Sequence, residues 1–195
     1  IIMVGEIRDE ETAKISVNAA MTGHLLLSTL HTNDAVTTLP RLSQMGIPSF
    51  LIASTTNLII AQRLVRKVCP FCKQPYHLSK KAVEDIEKQL DITNILARLE
   101  RGKNINSKDS LESIVFYRGA GCNKCNNSGY KGRIGVYETL EMTPEMAELI
   151  TNTVDTGALR KQAEKQGMLS LIEDGFIKAV SGLTNLEEVM RVTKE

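Results

Sequence analysis

At 195 residues, 42% hydrophobic and 24% charged, the chain has an ordinary globular composition, enough for one sizeable core or two small ones. A formal net charge of +1 supplies no global basic field for nucleic acid or an anionic membrane surface, and no apolar run approaches the roughly 20 residues needed to span a bilayer. Four cysteines, no secretory leader and no disulfide-dense pattern point to a reducing, cytoplasmic compartment, while the absence of Trp weakens any reading by base stacking. The chain opens on the apolar run Ile1 to Val4, which ends in the acid Glu6. Such a run is expected to be a buried strand with neighbours on both sides, so further sheet partners are expected upstream of Ile1.

After that strand, Asp9 is placed to cap a helix with Glu10 and Glu11 in its first turn, and Gly23 to end it. A second apolar strand is predicted over Leu25 to Leu30, followed by the polar tip His31-Thr32-Asn33-Asp34 and a helix over Ala35 to Met45, closed by Gly46. Pro48 suits a first helical turn, from which a mostly apolar helix is predicted through Ala61. The stretch Arg63 to Val68 then alternates basic and apolar residues like an edge strand. Strand and helix signals alternating in this way define an α/β segment, 1–68.

The segment 69–135 breaks the pattern. Its ends carry CPFC and CNKC, and its middle reads as one or two polar helices followed by the loop GKNINSKDS, too polar to bury much core. From Val136 onward the chain is predicted to be helical, over 136–195. Thr143-Pro144 starts one helix, Gly167 follows another, and Ser170 with Glu173 and Thr184 with Glu187 fit capping boxes.

Two chemical constellations stand out. The four cysteines form two C-x-x-C pairs, Cys69/Cys72 and Cys122/Cys125, whose spacing lets both sulfurs of a pair reach one tetrahedral ion. A structural zinc site fits best, with metal replacing the core that the polar insertion lacks; redox dithiols, two disulfides or an iron–sulfur cluster are the alternatives. Four sulfurs leave no open position on the ion, which argues against a catalytic metal. The second constellation is Glu6, an acid at the C-terminal tip of a buried strand, where α/β sheets place their ligand crevices. It is like the strand-end acid of P-loop NTPases that serves Mg²⁺ or the attacking water, although pairing with Arg8 or capping a helix explains such an acid equally well. Parallel neighbours would bring His31 to the same edge as Glu6. His24 stands at the start of that second strand, and a lone loop histidine is more often a hydrogen-bonding residue than a catalyst.

The runs VGEIRD, TGHLLLSTLHTNDA, AQRLVRKVCPFC, CNKCNNSGYKGRIGVYE and GMLSLIEDGFIKAVSGLTNLEEVMRV, in this order, closely resemble the C-terminal part of the bacterial secretion ATPases, the motors of type II secretion and type IV pilus assembly. Only about 80–113 is without a corresponding motif. The resemblance implies a partial RecA-like P-loop NTPase sheet bearing a zinc-binding insertion and a C-terminal helical subdomain. It also implies a homo-hexamer at the cytoplasmic face of the inner membrane that hydrolyses ATP with Mg²⁺ and drives a membrane platform. Carried over, Glu6 matches the catalytic Walker B acid, with Gly5 in place of the usual aspartate, and His24 and His31 match the two histidines of the family's His box, which the resemblance implies sense the γ-phosphate or link it to the subunit interface. Cys69, Cys72, Cys122 and Cys125 match its tetracysteine motif, and Arg63 lies in a recurrent motif to which no role is assigned. Retraction motors of the superfamily typically lack the four cysteines, which favours an assembly-type member, while secretion and pilus branches share every motif present.

One departure limits the reading. No GxxxxGK[ST] loop occurs in the 195 residues, so the lysine and backbone nest that cradle phosphates are absent, and this chain alone is expected to be inactive. The alternative function is a zinc-stabilised module that docks an inner-membrane partner without ATP chemistry.

Overall fold

The computed structural model describes residues 1–102, 105–106 and 109–193; of the expected loop 102–110, Lys103, Asn104, Ser107 and Lys108 lie outside the described residues, as do Lys194 and Glu195. The chain divides into two compact units, Ile1–Ala61 with Glu138–Leu169, and Gln62–Tyr137 with Ser170–Glu195.

In the first unit, β1 (Ile2–Met3) pairs in parallel with β2 (Leu26–Leu27), Ile2 opposite Leu26 and Met3 opposite Leu27. The hydrogen bonding continues past the regular strands: Val4 N–H donates to Leu27 O and Ile7 N–H to Thr29 O, each at 2.9 Å. The Thr29 hydroxyl also donates to Gly5 O. The two chains therefore stay in register as far as Glu6. A parallel pair needs a crossover, supplied by α1 (Glu10–Met21), whose first free N–H groups are met by Asp9 accepting from Thr12 N–H. After β2 come α2 (Thr38–Gln44) and α3 (Ser49–Thr55). The predicted helix through Ala61 stops at Thr55, and β3 (Leu58–Val68) begins five residues before the predicted strand. The β-branched Ile59 and Ile60 favour extended backbone, and Asn57 O is taken by Met142 N–H. The unit is completed by α6 (Pro144–Asn152), capped by Thr143 with proline in its first turn, and α7 (Thr156–Lys165), capped by Asp155. Its core gathers Ile7, Ala13, Val36, Leu39, Ile52, Leu140, Met146, Ile150 and Leu159.

The second unit holds β4 (Lys73–Tyr76) antiparallel to β5 (Phe116–Gly119), with α4 (Lys80–Glu87) and α5 (Ile92–Arg101) between them in sequence. It also holds α8 (Leu171–Val180) and α9 (Leu186–Thr193). The expectation that the insertion buries little core is overturned. Val83, Ile92, Ile95, Leu99, Leu111, Ile114 and Phe116 form one cluster with Phe176, Ala179 and Leu186. The apolar residues of α5 recur at 92, 95 and 99, one helical face, so a polar average concealed an amphipathic helix. Arg98 joins this packing by an ion pair of 2.8 Å with Glu173, which also accepts from Ser170 N–H in the capping box that starts α8.

The strand β6 (Tyr130–Glu141) pairs with β3, so the stretch from Val136 to Glu141, predicted to be helical, is extended. Its alternation of buried Val136, Glu138 and Leu140 with exposed Tyr137, Thr139 and Glu141 is a strand period. The unit boundaries fall within β3 and β6, which differs from the three segments 1–68, 69–135 and 136–195. The C-terminal helices are shared out, α6 and α7 to the first unit, α8 and α9 to the second. The cap of α9 is also shifted: Asn185 accepts from Glu188 N–H at 2.9 Å, while the Thr184 hydroxyl donates to Arg66 O in β3.

Candidate functional site

Two sites emerge, one in each unit. In the first, Glu6 lies just beyond the C-terminal end of β1 and His31 beyond that of β2, and the parallel register brings them together: His31 Nε2 is 2.9 Å from Glu6 Oε2. The same oxygen receives Arg8 Nε at 2.7 Å. Glu6 is thus a strand-end acid in contact with both His31 and Arg8. The His31 contact and the Arg8 contact hold the Glu6 carboxyl below its ordinary range, so it is an anion at neutral pH. His24 is not brought to this pair. It sits at the N-terminal end of β2, where its Nδ1 is 3.0 Å from Thr22 Oγ1 and 3.3 Å from Ala19 O at the end of α1.

The loop carrying His31 is fastened by residues that sequence reading passed over. Asp34 accepts from Thr37 N–H at 2.7 Å and from Arg160 Nη2 of α7 at 2.5 Å, while Thr32 Oγ1 lies 2.9 Å from Thr38 Oγ1. Burial would raise the Asp34 carboxyl, but Thr37 and Arg160 outweigh it and hold the group low. Glu138 of β6, itself buried, accepts from Ala35 N–H at 3.0 Å. A carboxylate on the inward face of a strand signals that a partner must exist. That partner is 103 residues away, and no local pattern names it.

In the second unit, Cys69 and Cys72 close β3 and open β4, while Cys122 and Cys125 flank a 3-10 turn over Asn123–Cys125. Cys69 N–H donates to Gly129 O and Ala120 N–H to Cys72 O, each at 2.9 Å, which docks the two knuckles. Gly119 and Gly129 cross so closely that a Cβ on Gly119 would stand 2.0 Å from Gly129 O. Asn126 and Asn127 take left-handed backbone to turn the second knuckle back.

The four sulfurs all lie within 4.8 Å of one another. Cys69–Cys122 is 3.9 Å, Cys72–Cys125 is 3.8 Å and Cys122–Cys125 is 3.7 Å. A regular tetrahedron of thiolates about 2.3 Å from one ion has edges of about 3.8 Å, so these sulfurs fit a single tetrahedral metal. The cysteines are free, far from the roughly 2.05 Å of a disulfide, and a cluster of several irons would hold them farther apart. The electrostatics of this face are uneven. Burial opposes ionisation of Cys125, yet N–H groups of Cys122 and Gly129 bring it down to about 6, whereas burial and the neighbouring thiols push Cys72 up to about 12. A bound dication would displace the remaining protons.

The fold is shared with secretion-system ATPases of known structure. The chain resembles the crystal structure of the pilus retraction motor PilT with bound ADP, at 21% identity and a TM-score of 0.60 over all of this chain and 39% of that one. It also resembles the ATPase DotB of Legionella pneumophila, at 18% identity and a TM-score of 0.59 over 98% of this chain and 37% of that one. The family model for the type II/IV secretion system protein matches residues 1–191, and the chain belongs to that family. Over its full length it is 43% identical to the type IV pilus assembly ATPase PilB of Pseudomonas aeruginosa and 45% identical to the type II secretion system ATPase E of Vibrio cholerae. It spans about a third of each, 31% and 35%.

Proposed function

We propose that the chain is the Walker B and metal-bearing part of a hexameric, ATP-hydrolysing motor for type IV pilus assembly or type II secretion. The observation that carries this is the meeting of Glu6 and His31 at the carboxyl end of a parallel strand pair, in a chain of this family. Glu6 is the anionic group that would hold Mg²⁺ or orient the attacking water, and His31 answers to the nucleotide's terminal phosphate. His24, at the other end of β2, shares the role the resemblance gives both histidines, sensing the γ-phosphate or linking it to the subunit interface. The tetracysteine site holds one structural Zn²⁺, supported by the tetrahedral spacing of its sulfurs.

In this reading the stretch 1–68 acts as the ATPase half and 69–135 as the metal-binding insertion, while the C-terminal helices serve both units, α6 and α7 the first, α8 and α9 the second. Among the described residues no helix is long and apolar enough to cross a membrane, in keeping with peripheral attachment to an inner-membrane platform. In the full-length protein, Glu6→Gln is expected to lower kcat for ATP hydrolysis by about a hundredfold or more while zinc stays at one per chain. Hydrolysis at the unaltered rate would leave the reading of a zinc-stabilised docking module, which the separate tetracysteine site favours.

A further inference from the structure

His31 is an exposed ring, 78% accessible, in contact with Glu6. Its position therefore depends on the backbone of the loop that bears it. That loop is fixed from two elements outside the strand pair. Glu138 of β6 takes the Ala35 N–H in a buried contact, and Arg160 of α7 takes Asp34, whose other oxygen shapes the turn through Thr37 N–H. Thr32, bonded to Asp34 O and lying beside Thr38, passes this constraint to the residue next to His31.

We propose that Arg160 and Glu138 are positioning residues for His31, so that the contact of His31 with Glu6 answers to the placement of α7 and β6. The two anchors come from 126 and 103 residues further along the chain, and both converge on the neighbouring residues Asp34 and Ala35. Removing either slackens the loop at its centre, not at its ends. Ala35 and Val36 are wholly buried and retain the path of the chain, so Arg160→Ala shifts His31 without unfolding the unit. The catalytic consequence rests on the function proposed above; the anchoring does not.

The test is nuclear magnetic resonance of this chain, at a concentration where light scattering shows it and its variants to be monomeric, following the cross-peaks between the His31 ring and the Glu6 side chain. Arg160→Ala is expected to remove them while resonances of α1 and β3 stay in place. Arg160→Lys, which keeps the charge beside Asp34, is expected to retain most of them; Glu138→Ala, which leaves the Ala35 N–H without this acceptor, is expected to weaken them as Arg160→Ala does, and Glu138→Gln, which keeps an acceptor, to retain them. Cross-peaks in Arg160→Ala as strong as in the unaltered chain would overturn the inference. In the full-length protein, Arg160→Ala is expected to lower kcat about tenfold or more, with KM for ATP changed by less than about twofold. Loss of the cross-peaks with kcat unchanged would uphold the anchoring and overturn the catalytic role of Glu6 and His31.

Discussion

Glu188 is a carboxylate that folding removes almost completely from water, and its surroundings explain how it stays charged. Its oxygens accept from Arg66 Nη2 at 2.5 Å and Arg66 N–H at 3.1 Å, and from Arg191 Nε at 2.8 Å and Nη2 at 3.0 Å. Burial works to raise this carboxyl, but the Arg191 and Arg66 guanidiniums reverse the effect and hold it well below the usual carboxylate range. Its stabilisation is therefore complete above about pH 4.5 and is lost as pH falls towards the depressed value. Glu188→Gln is expected to cost about 3 kcal/mol at neutral pH and to flatten the acid limb of the stability curve, both read by urea denaturation across pH. An acid limb as steep as in the unaltered chain would remove Glu188 from this role. Glu6 is the opposite case. It is accessible, its charge is shared with Arg8 and His31, and substituting it is expected to change chemistry more than stability.

At the level of elements, several helix starts were readable because each has a local cause: Asp9 before α1 and Thr143-Pro144 before α6 in the first unit, Ser170 with Glu173 at the start of α8 in the second. The pairing of Glu6 with His31 was readable too, since parallel register carries both strand ends to one edge. What escaped was set by distance. The ladder of β3 with β6 decided that Leu58–Ala61 and Val136–Glu141 are extended, and the contact of α5 with α8 made a core from an insertion that reads as polar. This bears on the metal. Because the insertion has its own core around Phe116 and Leu99, losing the ion should loosen the knuckles and leave the helices folded. Cys122→Ser is expected to abolish stoichiometric zinc and to raise hydrogen exchange at Cys69 and Ala120 about a hundredfold, with amides of α5 and α8 still protected. Unchanged zinc content, or exchange spreading evenly through α5 and α8, would contradict that division.

Across the whole molecule, apolar surface is unevenly covered. Ile1, Met3, Leu25 and Leu27, all on the β1 and β2 strand chains, are each about half exposed or more. A parallel pair of two strands with such side chains uncovered has unsatisfied edges that attract further strands or further copies. The 195-residue chain is accordingly expected to self-associate as concentration rises, and light scattering that shows a clean monomer at high concentration would count against it. The sequence holds Glu6 and His31 but no GxxxxGK[ST] loop. The decisive experiment is to measure steady-state ATP hydrolysis by the full-length protein and its Glu6→Gln variant, with zinc counted in both. Hydrolysis that collapses in the variant while one zinc per chain remains would establish Glu6 as part of the motor's hydrolytic end. Equal rates in the two proteins would contradict it.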